Sequence, residues 1–367
     1  MAVLFASGIV GSGKTKASKE AAKLGKQSGL NVYTVSTGDI FSEHAKTRGY
    51  EKLSLPYLDD DIQQALRTGV MPACAAELLA NTPYHHAIVS GPLTLINNYG
   101  WPGRTFRRED FEKLQRYGVG LERRIVSIII DDPLEIAKFN ESRKSAYPNG
   151  VGPIISWSIF EAETARDLSR TYLQKEGLVV PRHCAPQFLL KVLEDPDAPI
   201  VYLAHPIDSF NSGKNRDEPE EKIEKFVSKM NSCAALITPI AHKEVRNISE
   251  EEREYTKFRD LKWFVRQSDM LIAYVPDPSD KLSTGITVEV RKAKELGKPI
   301  VLISPYSNSH SLWCVSKDVS YKFDSEDEFF DAVLSSRNNG KYRGLSIFLG
   351  PGSDNFRYHN LFPFLTR

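Results

Sequence analysis

The stretch Gly8-Ile9-Val10-Gly11-Ser12-Gly13-Lys14-Thr15 follows directly on the apolar run Val3-Leu4-Phe5-Ala6 and leads into a run rich in alanine and lysine, Lys16 to Lys26. Strand, glycine-rich loop and helix in this order spell a phosphate-binding loop. Gly8, Gly11, Ser12 and Gly13 let backbone N–H groups turn inward on a β-phosphate. Lys14 serves the β/γ oxygens, Thr15 offers a hydroxyl to Mg²⁺, and the helix N-terminus faces the anion. The glycines run G-x-x-G-x-G, whereas a dinucleotide fingerprint needs G-x-G-x-x-G. The expectation is therefore a nucleoside triphosphate site, with ATP and Mg²⁺ as its cofactors.

Outward from the loop, residues 1–195 alternate strands and helices. Val3–Ala6, Asn31–Val35, Ala87–Ser90 and the β-branched run Arg124–Asp131 read as strands buried on both faces of a parallel sheet. Helical stretches follow at Ser156–Gln174 and Gln187–Leu193. Glu194-Asp195-Pro196-Asp197-Ala198-Pro199, with two prolines and three acids, reads as the boundary, placed near 196.

The order then restarts. Strands are expected at Ile200–Ala204, Ala235–Thr238, Met270–Val275 and Ile300–Ser304, and helices at Pro219–Asn231, Ser249–Ser268 and Val288–Leu296. The fold class is α/β throughout: a P-loop parallel-sheet domain (1–195), then a Rossmann-like, flavodoxin-like parallel-sheet domain (196–334), with residues 335–367 set apart as a tail without clear periodicity.

Composition limits the partners. The 367 residues suit two domains, each able to bury its own core. A net charge of +1 provides no general attraction to nucleic acid or anionic membrane, so binding must be local and directed at small-molecule nucleotides. Cys74, Cys184, Cys233 and Cys314 form no C-x-x-C pair, which suggests neither a zinc site nor a disulfide framework. With no apolar run near 18 residues and no cleavable leader pattern, the expected location is cytoplasmic.

The second strand ends in Ser36-Thr37-Gly38-Asp39-Ile40-Phe41. With the phosphate loop, this makes residues 1–190 resemble the adenylate kinase and nucleoside monophosphate kinase superfamily, in which S-T-G-D opens the helix lining the acceptor site. The resemblance implies nucleotide contacts from Asp39 and from lid-type cations, for which Arg143 and Lys144, and Arg166 and Arg170 four apart on one helix face, are the candidates. Taken alone, Asp39 reads equally well as a helix cap. Two positions depart from the family. Ser42 stands where an arginine follows the S-T-G-D aspartate, and Ser90-Gly91-Pro92-Leu93-Thr94 replaces an Asp-Gly-x-Pro-Arg turn. Both absent arginines would contact the acceptor's phosphate, which leaves the acceptor unusual or absent and keeps a purely regulatory ATP site as the alternative.

In the second domain, Tyr202-Leu203-Ala204-His205-Pro206, Ser268-Asp269-Met270-Leu271-Ile272-Ala273, and the stretch from Ser283-Thr284-Gly285 through Glu289 and Ala293 to Gly297-Lys298-Pro299 occur in series. Residues 199–305 thus resemble the nucleoside 2-deoxyribosyltransferase family and its relatives that hydrolyse 2′-deoxynucleoside 5′-monophosphates.

The chemistry also stands without the family. Cleaving an N-glycosidic bond passes through an oxocarbenium-like state that a carboxylate can trap covalently, and Glu289, expected in the first turn of a helix after a glycine-containing loop, is the chosen nucleophile. Asp260 and Asp269 are the candidates for a second carboxylate. The resemblance assigns Tyr202 to orienting the nucleophile and Ser283, with Gly285 beside it, to a 5′-phosphate; the loop Asp208–Lys214 can add donors. It also implies a homo-oligomer with sites completed by a neighbour, for which the aromatic tail Phe356–Phe364 is a candidate, although that tail reads first as a packed terminus. NAD or another signalling nucleotide remains an alternative substrate.

Overall fold

A computed structural model of the chain describes residues 2–50, 68–81, 86–96, 102–106, 109–112, 125–130, 132–142, 147–206, 217–239, 249–276, 284–305, 317–336 and 340–349. The chain divides into two compact units, Met1–Glu194 and Asp195–Arg367.

In the first unit, β1 (Ala2–Ser7), β2 (Val32–Ser36), β3 (His86–Ser90), β6 (Ile125–Ile129) and β7 (Leu178–Pro181) form an all-parallel sheet in the order β2-β3-β1-β6-β7. A short antiparallel ribbon, β4 (Thr94–Ile96) with β5 (Pro102–Arg104), stands beside it. Val3, Leu4, Phe5 and Ala6 are all buried, as is every residue of β6, because helices flank the parallel sheet. The helices are α1 (Lys14–Gln27), α2 (Thr37–Thr47), α3 (Val70–Ala80), α4 (Pro133–Ser142), α5 (Val151–Leu173) and α6 (Ala185–Glu194). One core joins Phe5, Val35, Met71, Leu78 and Val89 to Ala165 and Leu168 of α5; a second, smaller one joins Ile9 of the loop to Ile136, Ile154 and Trp157. Both place α5 against the strands that carry the loop.

In the second unit, β8 (Ile200–Ala204), β9 (Ala235–Ile237), β10 (Met270–Tyr274), β11 (Ile300–Ile303) and β12 (Tyr321–Phe323) are again all parallel, in the order β12-β11-β10-β8-β9. Counted within the unit this is the doubly wound order 2-1-3-4-5, whose switch point, where ligands bind in such sheets, lies at the carboxyl ends of β8 and β10. Its helices are α7 (Asp217–Cys233), α8 (Glu250–Arg259), α9 (Thr284–Glu295) and α10 (Glu326–Ser335). A capping box between Ser249 and Glu252 starts α8, which runs into a π turn, Asp260–Phe264, and a last turn, Val265–Gln267.

Three expectations need adjustment. Helix α9 begins at Thr284, not Val288, so Glu289 lies in its second turn. The stretch from 335 is not wholly a separate tail: Gly340–Phe348 forms a 3₁₀ helix, and Leu345, Phe348 and Leu349 pack into the core of the second unit with Phe323, Phe329 and Val333. Finally, β4, β5, β7, β12, α3 and α10 were not foreseen as elements. Cys74, Cys184 and Cys233 are in no disulfide, and among the described residues no helix is long and apolar enough to cross a membrane and no cluster of His, Cys, Asp and Glu could hold a metal ion.

Candidate functional site

Two constellations emerge, one in each unit. In the first, β1 ends at Ser7 and the loop bends at once. Gly8 has φ 155° and Gly13 has φ 83°. A side chain at Gly8 would lie 2.4 Å from Ser12 Oγ and 2.6 Å from the Ile128 carbonyl, and one at Gly13 would lie 2.8 Å from Arg182 Cδ. These are places where only glycine fits. The Ser12 hydroxyl is buried with no hydrogen-bond partner among the described residues. Lys14 is buried at the start of α1 and its Nζ donates to the Ile9 carbonyl at 3.2 Å, arching back over the loop. Burial holds its pKa down to about 8, partly opposed by the charge of Glu161. Thr15 Oγ1 faces Ser90 Oγ at 3.5 Å, and Ser90 in turn donates to the Val35 carbonyl.

Glu161 was not among the residues singled out from the sequence. Its Oε1 accepts the N–H of Gly8 at 2.9 Å and that of Leu93 at 2.8 Å, while Oε2 accepts the Thr94 hydroxyl at 2.5 Å. Burial pushes its pKa up, against those hydrogen bonds and the nearby Lys14.

The other first-unit candidates are placed as follows. Ser36 caps α2 by accepting the Asp39 N–H at 3.3 Å, and the exposed Asp39 sits in the first turn of that helix. Arg166 and Arg170 are not brought to the loop. Arg166 pairs with Glu163 and Glu176, and Arg170 is exposed. Between Glu161, which touches Gly8, and Ser169, which accepts the N–H of Ile125, α5 runs from the loop toward the amino ends of the strands, so residues 166 and 170 lie at the far end. Arg143 and Lys144 fall outside the described residues.

In the second unit, the hydroxyl of Tyr202, at the centre of β8, donates to Glu289 Oε1 at 2.8 Å. Beside them the buried Arg259 donates from Nε to Asp260 Oδ1 at 3.0 Å and lies over the Phe264 ring, whose neighbour is Tyr202. The π turn starts at Asp260, a geometry recurrent at functional sites because it rotates successive side chains off the regular helical face. Burial pushes the half-buried Glu289 up to about 8 and the charge of Asp260 adds to this, while the Tyr202 hydrogen bond and Arg259 oppose it. Tyr202 is held well above its ordinary value, chiefly by burial and then by Glu289.

Tyr202, Asp260 and Glu289 are therefore brought together, and Asp269 is not. Its Oδ2 accepts the Ile200 N–H at 2.8 Å and its own N–H donates to the Ile200 carbonyl at 2.7 Å, clipping the amino ends of β8 and β10, the end of the sheet opposite to the switch point. Gly285 is exposed in the first turn of α9. Ser283, the loop 208–214 and the stretch 356–364 fall outside the described residues. The group can orient one carboxyl and hold a second next to it with its own guanidinium. Compared with known proteins, the chain matches no family model and no curated protein.

Proposed function

We propose that the chain is a two-domain enzyme of nucleotide metabolism. Its second unit cleaves the N-glycosidic bond of a 2′-deoxynucleoside 5′-monophosphate, by hydrolysis or by transfer to another base, and its first unit is a kinase-like domain that binds ATP with Mg²⁺. The observation that carries this reading is the Tyr202–Glu289 hydrogen bond at the doubly wound switch point, with Asp260 alongside.

In this reading the ionised Glu289 attacks C1′, the C1′–N bond breaks, and the departing base leaves with a proton that water supplies, while Asp260 stays ionised against Arg259. Water or a second base then attacks C1′ and releases Glu289 as a carboxylate. Tyr202 fixes which oxygen points at the sugar. Ser283 and Gly285, at the start of α9, are the residues assigned to the 5′-phosphate.

In the first unit, the inward-turned loop, the unpartnered Ser12 hydroxyl and the buried Lys14 favour a triphosphate, and Thr15 is the residue to hold Mg²⁺. A second reading of this unit, an ATP site that regulates rather than transfers, is favoured by Ser90: the group facing Thr15 is a hydroxyl instead of a carboxylate that would help hold the metal.

The test is incubation of the full chain with ATP, Mg²⁺ and a panel of nucleotides, following ADP and free base by chromatography. Free base from a 2′-deoxynucleoside 5′-monophosphate supports the glycosidase. ADP formed only with an acceptor supports the kinase, binding without turnover supports the regulator, and free nicotinamide from NAD redirects the substrate assignment.

A further inference from the structure

We propose that Glu161 is the positioning residue of the nucleoside triphosphate site, tying the first peptide of the phosphate loop to the Leu93–Thr94 turn so that occupancy of the loop and the conformation of the turn depend on each other. The inference rests on the reading of residues 8–15 as a triphosphate site.

The geometry is that of a three-way clamp. One carboxylate oxygen accepts the N–H of Gly8, the residue at which the chain leaves β1 for the loop, and also the N–H of Leu93, beyond β3. The other accepts the Thr94 hydroxyl, which itself accepts the indole N–H of Trp157 at 3.0 Å from one turn earlier on α5. Because that indole can only donate, the Thr94 hydroxyl must point its proton at Glu161, and the clamp needs an acceptor at both oxygens. Glu161, Thr94 and Trp157 are all buried, so no water stands in for a lost partner without rearrangement.

A carboxylate beside an anion site is useful only if its charge is consumed locally. Here three donors, the N–H groups of Gly8 and Leu93 and the Thr94 hydroxyl, take up its lone pairs. Glu161 thus shapes the backbone that receives the phosphates.

The test is calorimetric titration of full-length protein with MgATP, with tryptophan fluorescence alongside, for wild type, Lys14→Ala, Glu161→Gln, Thr94→Val and the Glu161→Gln/Thr94→Val pair. Glutamine retains an acceptor for the two backbone N–H groups but presents an amide to Thr94. ATP affinity of Glu161→Gln should fall about tenfold, as expected for losing a hydrogen bond to a charged acceptor. ATP should perturb the fluorescence of Trp157, whose indole bonds Thr94, in wild type and not in Glu161→Gln.

Thr94→Val should weaken binding in the same direction, and the double variant should fall short of the sum of the two. Unaltered affinity and fluorescence response in folded Glu161→Gln and Thr94→Val, alongside a wild type that loses ATP on Lys14→Ala, would overturn the positioning role and leave the loop reading intact. A wild type that binds no ATP would take both down.

Discussion

Tyr202, in the first strand of the second unit, donates its hydroxyl to Glu289 of a helix 87 residues further along the chain, at 2.8 Å. The pair ties the middle of β8 to the second turn of α9 and is flanked by Asp260 and its buried partner Arg259. A carboxyl so placed, with burial and a second acid raising its pKa, is costly to keep, and sites that retain such groups generally use them.

Glu289→Gln should lower base release by about a thousand-fold while leaving ATP binding unchanged, since the amide keeps the shape but cannot trap a cationic sugar. It should also stabilise the second unit at alkaline pH. With the folded pKa raised from 4.5 to about 8, the stability that the bound proton contributes is fully present below 4.5 and is lost as pH rises to about 8. By pH 9, denaturant unfolding should find Glu289→Gln about 2 kcal/mol the more stable, less than full linkage because Glu289 keeps some contact with solvent.

The same ionisation governs rate. Because the attacking group is the carboxylate, kcat/KM for a 2′-deoxynucleoside 5′-monophosphate should rise with pH to a plateau above about 8, the value at which the free enzyme gives up the Glu289 proton. A profile that falls across this range would instead make Glu289 the proton donor.

Lys14 titrates with the opposite consequence. With its pKa lowered from 10.5 to about 8, the empty loop loses its positive charge as pH rises, and a triphosphate must bind the protonated form. ATP affinity should weaken about tenfold between pH 7 and pH 9, and Lys14→Ala should abolish tight binding at every pH without affecting base release. Isothermal titration at the two pH values checks both.

Asp269→Ala should behave as a structural change. Removing the acceptor of the Ile200 N–H should cost about 1–3 kcal/mol of stability, read by urea unfolding, while KM and kcat of the folded protein stay near wild type. A loss of kcat without loss of stability would return Asp269 to the chemistry.

How much of this was legible in the sequence depends on the range of the interaction involved. The strand, glycine turn and helix over residues 2–27 were, because glycine spacing and the strand before it are local. The grouping of Tyr202 with Glu289 was reachable from the order of short motifs. Glu161 was not: its partners Gly8 and Leu93 lie 153 and 68 residues away, and nothing within α5 distinguishes it from an ordinary helix glutamate.

Arg166 and Arg170 show the same limit from the other side, since a spacing of four says that two residues share a face of α5 but not where along the sheet that face ends. Asp269 and Asp260 are both acids near a strand or helix end, separable only once the sheet shows which end each occupies. Leu345, Phe348 and Leu349 escaped because a 3₁₀ helix repeats every three residues, a period that neither helix nor strand templates match.

The most direct measurement is whole-protein mass spectrometry of the wild-type chain after exposure to a slow 2-fluoro-substituted 2′-deoxynucleoside 5′-monophosphate, followed by peptide mapping. The account predicts a sugar-phosphate adduct on the peptide containing Glu289, absent from Glu289→Gln. An adduct on another carboxylate, or release of base by Glu289→Gln at the wild-type rate, would contradict it.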